Sequence, residues 1–314
     1  MKIGIVGYGN LGKGIAKRAS FSEAFELLGI FSRRNVSSPY APVYKMEDLY
    51  KFKEEIDCLL LAGGSFSDLP TLSPRLAMDF NIVDSFDTHA KIKEHFEKVD
   101  FAAKSGKHSA IISAGWDPGL LSVFRLYAKS ILADAKISSF WGKGVSQGHS
   151  EAIKRIKGVK RAIQYTVPKD DAISDALRGK ESQAQKSHVR ECFVVANAGC
   201  EKEIEEKIKS IPEYFFGYET KVVFLSEEEF LKEHNKTYHG GRVISFGKTG
   251  DSAEDVATLD LSLKMSSNPD FTAGIMLAYA NAAKHFYDAG DFGAKTPFDV
   301  APALLYKGFL YNLL

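Results

Sequence analysis

Six residues near the start, "GYGNLG" at 7–12, limit what this chain can fold into more than any other stretch. They follow the apolar run "KIGIV" and precede "LGKGIAKRA", whose apolar residues recur at helical spacing. Strand, glycine turn and helix in that order open a βαβ unit: Gly7 makes the tight turn, Gly9 lets backbone approach a ligand, and Gly12 lets the helix pack on the strand. A pyrophosphate suits such a turn because the helix N-terminus offers free amides and a favourable dipole. Gly7, Tyr8, Gly9, Asn10, Leu11 and Gly12 are therefore expected to hold a dinucleotide.

The rest of the first third repeats the alternation. "ELLGIF" (26–31), "DCLLLAG" (57–63), "NIVDSF" (81–86) and "HSAIISAG" (108–115) are short, continuous apolar runs separated by amphipathic stretches. Strands covered by helices on both faces read this way, so a Rossmann-type, doubly wound parallel sheet is expected over residues 1–117. After "GWDPGLL" the strands lengthen and carry more polar residues, which predicts a second, α+β domain over 118–290 with a mixed sheet. Its strands are expected at 137–145, 188–199, 218–225, 239–247 and 254–265, and helices at 149–163 and 200–211. The helix at 271–290 is apolar on several faces, which suggests packing between domains or against a second subunit.

The end of the second strand selects the cofactor. An acid there would accept hydrogen bonds from the ribose of NAD. This chain instead has Ser32, Arg33 and Arg34, with no acid before Glu47, and two guanidinium forks suit the extra phosphate of NADP. Beyond the other strand ends, the small residues Gly63, Gly64, Ser65 and Ser67 let backbone approach the cofactor, so Gly64, Ser65, Phe66 and Ser67 are expected to border it, with Asp87, Thr88, Pro118 and Gly119 at its reactive end. Asp87 and Asp117 are also candidates for proton transfer, although either can equally cap a helix.

Composition narrows the partners. The chain has 314 residues, with 41 Lys plus Arg against 40 Asp plus Glu, so a polyanion or an anionic membrane is not expected as partner. Cys58, Cys192 and Cys200 show no CxxC spacing, which predicts reduced thiols and neither a disulfide framework nor a metal site. The first residues enter a strand at once, and no apolar run reaches the roughly 18 residues of a membrane span, so a cytoplasmic location is expected.

Taken together, "GYGNLG", "GIFSRR", "DSFDTH", "GWDPG", "FWGKGVSQGHS", "QYTVP", "RECFVVANA", "HGGRVI" and "NPDFTA" resemble the NADP-dependent meso-diaminopimelate dehydrogenase family. The resemblance runs from the first strand to about residue 273, and "GWDPG" with "SQGHS" is not a generic Rossmann feature. It implies reversible oxidative deamination of meso-2,6-diaminopimelate at its D-centre, a homodimer, and a dinucleotide domain completed by the tail 291–314. It places Asp87 and Asp117 near the reacting amino group and Trp116 and Trp141 as pocket walls. Gln147, Gly148, Thr166, Arg190, His239 and Asn268 become substrate-binding residues, with Thr166, Arg190 and His239 on the distal carboxylate. Glu151 departs from the family pattern, where Asp is expected.

The residues alone leave other readings open. Arg190 lies in an apolar strand and needs an anionic partner, which a substrate carboxylate or a neighbouring acid such as Glu191 would supply. The tryptophans can be core aromatics, His239 can cap a glycine turn, and Lys143 is a further candidate base. Another two-domain NADP oxidoreductase acting on a D-amino acid, imine or sugar would share the first 117 residues, as would a non-catalytic NADPH sensor.

Overall fold

In the computed structural model, residues 1–314 are described except 182, 213, 235–237, 307, 309 and 314, and the side chains of 147, 184, 311 and 313. The chain divides into two compact units, Met1–Val123 with Pro269–Leu314, and Phe124–Asn268.

Uninterrupted apolar runs need cover on both faces, and the first unit supplies it. Strands β1 (Lys2–Val6), β2 (Glu26–Ser32), β3 (Val43–Lys45), β4 (Cys58–Leu61), β5 (Ile82–Asp84), β6 (Ser109–Ile111) and β14 (Gly293–Lys295) form one parallel sheet in the order β14-β6-β5-β4-β1-β2-β3. On one face, helix α1 (Asn10–Ser20) and helix α10 (Asn268–Asp288) bury Ile15, Ala16, Met276 and Ala280 against Ile3 and Ile5. On the other, helices α2 (Leu69–Ala77) and α3 (Ile92–Gly106) bury Leu76, Val99 and Ala103 against Leu59, Leu61 and Ile82. Strand order reverses between β1 and β4, which opens a crevice beyond their carboxyl ends.

Two sequence expectations change here. The domain limits of 117 and 290 move, because the unit boundary falls inside helix α4 (Leu120–Ile131) and α10 belongs to the first unit. The many-sided apolarity of α10 comes from this burial, since Ala273, Met276, Ala280, Ala282 and Ala283 are fully covered within that unit.

The second unit has two sheets where one was expected. Strands β8 (Gly144–Val145), β9 (Val159–Pro168), β10 (His188–Ala196) and β11 (Glu219–Phe224) form a mixed sheet in the order β11-β10-β9-β8, with only β10 and β11 parallel. Strands β7 (Ala133–Trp141), β12 (His239–Lys248) and β13 (Val256–Met265) form an antiparallel sheet with β12 in the centre. Helices α5 (Gln147–Lys154) and α8 (Glu201–Ser210) cover the mixed sheet through Ile153, Ile204 and Ile208. Helix α6 (Asp170–Ala176) covers the antiparallel one through Ala172 and Ala176, and the short helices α7 (Ala184–Ser187) and α9 (Glu227–Glu233) complete the unit. The expected helix 149–163 is half wrong: α5 stops at Lys154, Gly158 turns with φ of +95°, and 159–168 is strand.

Candidate functional site

In the first unit the glycine turn is built as its mechanism requires. A Cβ on Gly12 would lie 2.1 Å from the Gly7 carbonyl oxygen, so only glycine permits this helix-to-strand contact. A Cβ on Gly9 would meet nothing within 4 Å, which leaves open space beside the first amides of α1. That helix has no side-chain cap and no acid in its first turn, so its amides and dipole face the opening. Tyr8 is buried and donates to Ser38 Oγ at 2.7 Å, while Asn10 and Leu11 start the helix.

A cleft of about 800 Å³ runs from this turn across the ends of β2 and β4, lined among others by Gly9, Ser32, Arg33, Arg34, Gly64 and Ser67. Ser32 is buried, and its Oγ accepts from the Arg34 amide at 3.1 Å. Arg34 reaches back to donate to the Tyr8 carbonyl at 3.3 Å, which joins the basic corner to the glycine turn. Arg33 pairs with Asp68, an acid the sequence reading did not single out. Burial pushes the Asp68 carboxyl up, but the Gly64 amide and Arg33 together hold it below its ordinary value. Asp68, Glu47 and Arg75 line the same cleft, brought there by the sheet order. The open space at Gly9, the free helix end and the two arginines fit a dinucleotide phosphorylated on its ribose.

The strand-end loops are tied to one another. Ser65 Oγ accepts from the Asp87 amide at 2.7 Å and lies 3.3 Å from Thr88 Oγ1, while Phe66 is exposed. The "GWDPG" turn closes through Gly115 N to the Pro118 carbonyl at 3.1 Å and Leu120 N to the Gly115 carbonyl at 3.0 Å. It buries Trp116, Pro118 and Gly119 and leaves Asp117 half-buried, whereas Asp87 is exposed. Asp84, also missed in the sequence, lies between the two loops, fully buried. Its Oδ1 accepts the Phe86 and Ser113 amides, each at 3.0 Å, and its Oδ2 accepts Ser73 Oγ at 2.6 Å and faces His95 Nε2 at 2.8 Å.

In the second unit, register brings the polar set together. Arg190 and Thr166 are partners across β10 and β9, and Gly144 is the partner of Thr166 on the other side. A Cβ on Gly144 would lie 2.6 Å from His239 Cγ, so this glycine lets the mixed sheet approach β12. Arg190 Nη1 donates to Thr166 Oγ1, which also accepts from Gln164 Nε2 at 3.3 Å. The guanidinium lies 4.1 Å over the Tyr218 ring, its Nε has no partner, and no described carboxylate pairs with it. Glu191, the alternative partner, points to the opposite face of the strand and meets Lys143 at 3.5 Å. Burial lowers the Arg190 pKa, with Tyr218 opposing the shift. Burial and then the Arg190 charge bring His149 down to about 4, so it stands neutral beside the cation.

His239 is half-buried, and burial lowers its pKa despite the Gly240 carbonyl 2.9 Å from Nδ1. The Trp141 amide donates to His188 Nε2 at 3.0 Å, and the two rings lie 5.7 Å apart. Asn268 starts α10, Gly148 is exposed in α5, and the Gln147 side chain lies outside the described residues. Lys143 is taken up by Glu191 and by the Tyr165 ring at 5.9 Å. Glu151 is occupied by Lys154 at 2.8 Å. The described residues contain no cluster of His, Cys, Asp and Glu that could hold a metal ion. Gln164, buried with an unpartnered Oε1, was missed; its place in "QYTVP", two residues from Thr166, was the available signal.

A Rossmann-type unit with a phosphate-ready turn, joined to a separate unit with a polar cluster on a mixed sheet, defines a two-domain dinucleotide-binding protein. Residues 115–267 match the diaminopimelic acid dehydrogenase C-terminal domain. The chain is 49% identical over 313 residues to the meso-diaminopimelate D-dehydrogenase of Acetivibrio thermocellus, covering 97% of this chain and 94% of that one. It superposes with a TM-score of 0.92 on the C. glutamicum DAP dehydrogenase in complex with DAP, at 40% identity over 100% of this chain and 98% of that one. An engineered D-amino acid dehydrogenase bound to NADP+ aligns with a TM-score of 0.87 and 39% identity, over 100% of this chain and 98% of that one. The chain belongs to the meso-diaminopimelate D-dehydrogenase family.

Proposed function

We propose that this chain catalyses the reversible, NADP-dependent oxidative deamination of meso-2,6-diaminopimelate at its D-centre, giving L-2-amino-6-oxopimelate, ammonia and NADPH. The observation that carries the reading is Arg190: a largely buried guanidinium with Thr166 and Tyr218 around it and no described carboxylate paired with it. A buried cation without a counter-ion is costly, and a bidentate carboxylate from a ligand removes that cost. Because Thr166 Oγ1 already accepts from Arg190 and Gln164, its own proton is free to be donated to the same carboxylate.

NADP, when bound, takes the hydride from the D-carbon. Arg33 and Arg34 hold its ribose phosphate, and the amides at Gly9 to Leu11 hold its pyrophosphate. Asp117, with Asp87 in support, takes a proton from the substrate ammonium and stabilises the iminium that forms as hydride leaves. Water then adds to that carbon and ammonia departs. Trp116 and Trp141 exclude bulk water, His239 joins Arg190 and Thr166 on the distal carboxylate, and Gln147, Gly148 and Asn268 bind the substrate as well, so that only the D-carbon is presented.

A homodimer completes the proposal. Its support is now the exposed Leu126, Tyr127 and Ile131 of α4, since α10 is buried within the first unit. The three free cysteines suit a reducing cytoplasm, and no described helix is long and apolar enough to cross a membrane. The test is absorbance at the NADPH band with the meso, L,L and D,D isomers, each with NADP and with NAD. Formation of NADPH from the meso isomer and almost none from L,L is expected. Silence with the meso isomer would overturn the reading.

A further inference from the structure

Two loops of the first unit carry the groups placed at the reacting carbon: 84–88, with Asp87 and Thr88, and 113–119, with Trp116 and Asp117. They leave the ends of neighbouring strands β5 and β6, and one side chain joins them. Asp84 is fully buried and accepts a backbone amide from each loop, Phe86 N and Ser113 N, both at 3.0 Å on the same oxygen. Its backbone carbonyl accepts from Ala114 N at 2.8 Å, which adds a third tie to the second loop.

The other carboxylate oxygen fixes the orientation of that bridge. It accepts Ser73 Oγ from α2 at 2.6 Å and faces His95 Nε2 of α3 at 2.8 Å, and His95 is itself only 3% exposed. The His95 ring stacks on Phe86, centroids 4.0 Å apart and planes 11° from parallel, directly before Asp87. A buried carboxylate with four hydrogen-bond partners is held in one rotamer, and a loop amide bound to it cannot shift without costing that buried group one of the four.

We infer that Asp84 and His95 are a positioning pair for the dehydrogenase reaction: they hold the Asp87 and Trp116–Asp117 loops in fixed relative register. Neither group touches substrate or cofactor; both act through the loops they pin. The inference rests on the reaction proposed above. Hydride transfer needs donor and acceptor carbons within about 3–3.5 Å, and a misplacement of about 1 Å costs on the order of 100-fold in rate. Loosening the bridge therefore acts on kcat more than on cofactor affinity, most of which comes from the glycine turn and the arginine corner at the ends of other strands, β1 and β2.

The experiment compares wild type, His95→Leu, His95→Gln and Asp84→Asn, with kcat, KM, melting temperature and the primary deuterium isotope effect on substrate labelled at the D-carbon. His95→Leu is expected to lower kcat by about 10- to 100-fold and raise the isotope effect, with NADP affinity changed less than about threefold. His95→Gln keeps an N–H donor and should recover most of kcat. If His95→Leu does not fold, Asp84→Asn, which conserves volume but replaces the oxygen that meets Ser73 and His95 by an N–H₂ group and so frees the bridge to turn, should still show the kcat loss and the larger isotope effect. A lower melting temperature with kcat and isotope effect unchanged would reduce the pair to a structural role and overturn the inference. Absence of turnover in the wild type would sink the reaction and this inference together, whereas an active wild type with unaffected variants sinks only the inference.

Discussion

Arg33 and Arg34 show how far single residues can be understood from local chemistry. Two arginines at the end of β2 read as a phosphate clamp in the sequence because of their position after the glycine turn, and both line the cleft that runs from that turn. Asp68 was not readable, since the sheet order that brings it to Arg33 is a long-range property of the chain. The same distinction separates Asp87, visible as an acid in a strand-end loop, from Asp84, whose burial depends on Ser73, His95 and Ser113 arriving from three other elements. The double substitution Arg33→Ala with Arg34→Ala is expected to weaken NADPH by roughly 10- to 100-fold or more, since even one charged hydrogen bond is worth about 1.5–3 kcal/mol, and NADH by less than about threefold. Fluorescence titration with both cofactors checks it, and equal losses would remove the clamp. Arg190→Met gives a sharper residue-scale test, because it removes substrate binding and a buried, unpaired charge at once. Truncating one side of a buried charge pair costs about 2–5 kcal/mol, so KM for the substrate should rise by about 30-fold or more. The melting temperature of the free protein should hold or rise, since replacing a buried charge by an apolar group of similar volume is often neutral or stabilising.

Elements were legible where hydrophobic period and punctuation agreed. The parallel strands of the first unit read as continuous apolar runs, and the structure places five of them where expected, adding the three-residue strands β3 and β14 at the sheet edges. Residues 149–163 were misread because Lys154, Arg155, Lys157, Lys160 and Arg161 keep a helical-looking spacing of charge across a turn and into β9. Gly158 was the overlooked signal, since a glycine shortly after a helix commonly takes the left-handed conformation that ends it. Helix α10 was recognised as too apolar for a solvated surface, but its partner was misjudged: small residues let it lie close against β1 and α1 in the first unit. Ala280 is fully covered there, so Ala280→Leu must insert a side chain where no room exists. Overpacking of this kind costs about 1–3 kcal/mol. A fall in melting temperature of several degrees is expected, with kcat little changed in the folded fraction. Unchanged stability would show that α10 has slack against the sheet.

At the scale of the whole molecule, a Rossmann-type first unit says only that a dinucleotide binds; in the proposed function the grip on the distal end of the substrate falls to the second unit, Phe124–Asn268. Motifs such as "QYTVP" and "HGGRVI" carry that expectation in the sequence, and register in β9, β10 and β12 brings their residues together: Thr166 beside Arg190, and Gly144 against His239. The consequence concerns selectivity. A diamino diacid has a second carboxylate and a second ammonium, and a site that holds them leaves its buried polar groups unpaired when a shorter substrate enters. Arg190, Thr166 and Gln164 are all buried, so D-alanine would bind with this cluster unsatisfied. Sites built to pair polar groups reject analogues lacking them by about 10⁴-fold or more. The ratio of kcat/KM for meso-diaminopimelate over D-alanine should reach that order. A ratio near unity would mean that the Arg190 cluster does not contact the distal end and would recast the chain as a broad D-amino acid dehydrogenase. If instead the ratio is high in the wild type and collapses in Arg190→Met through loss on the diaminopimelate side alone, the discrimination is located in the second unit, independent of the cofactor turn in the first.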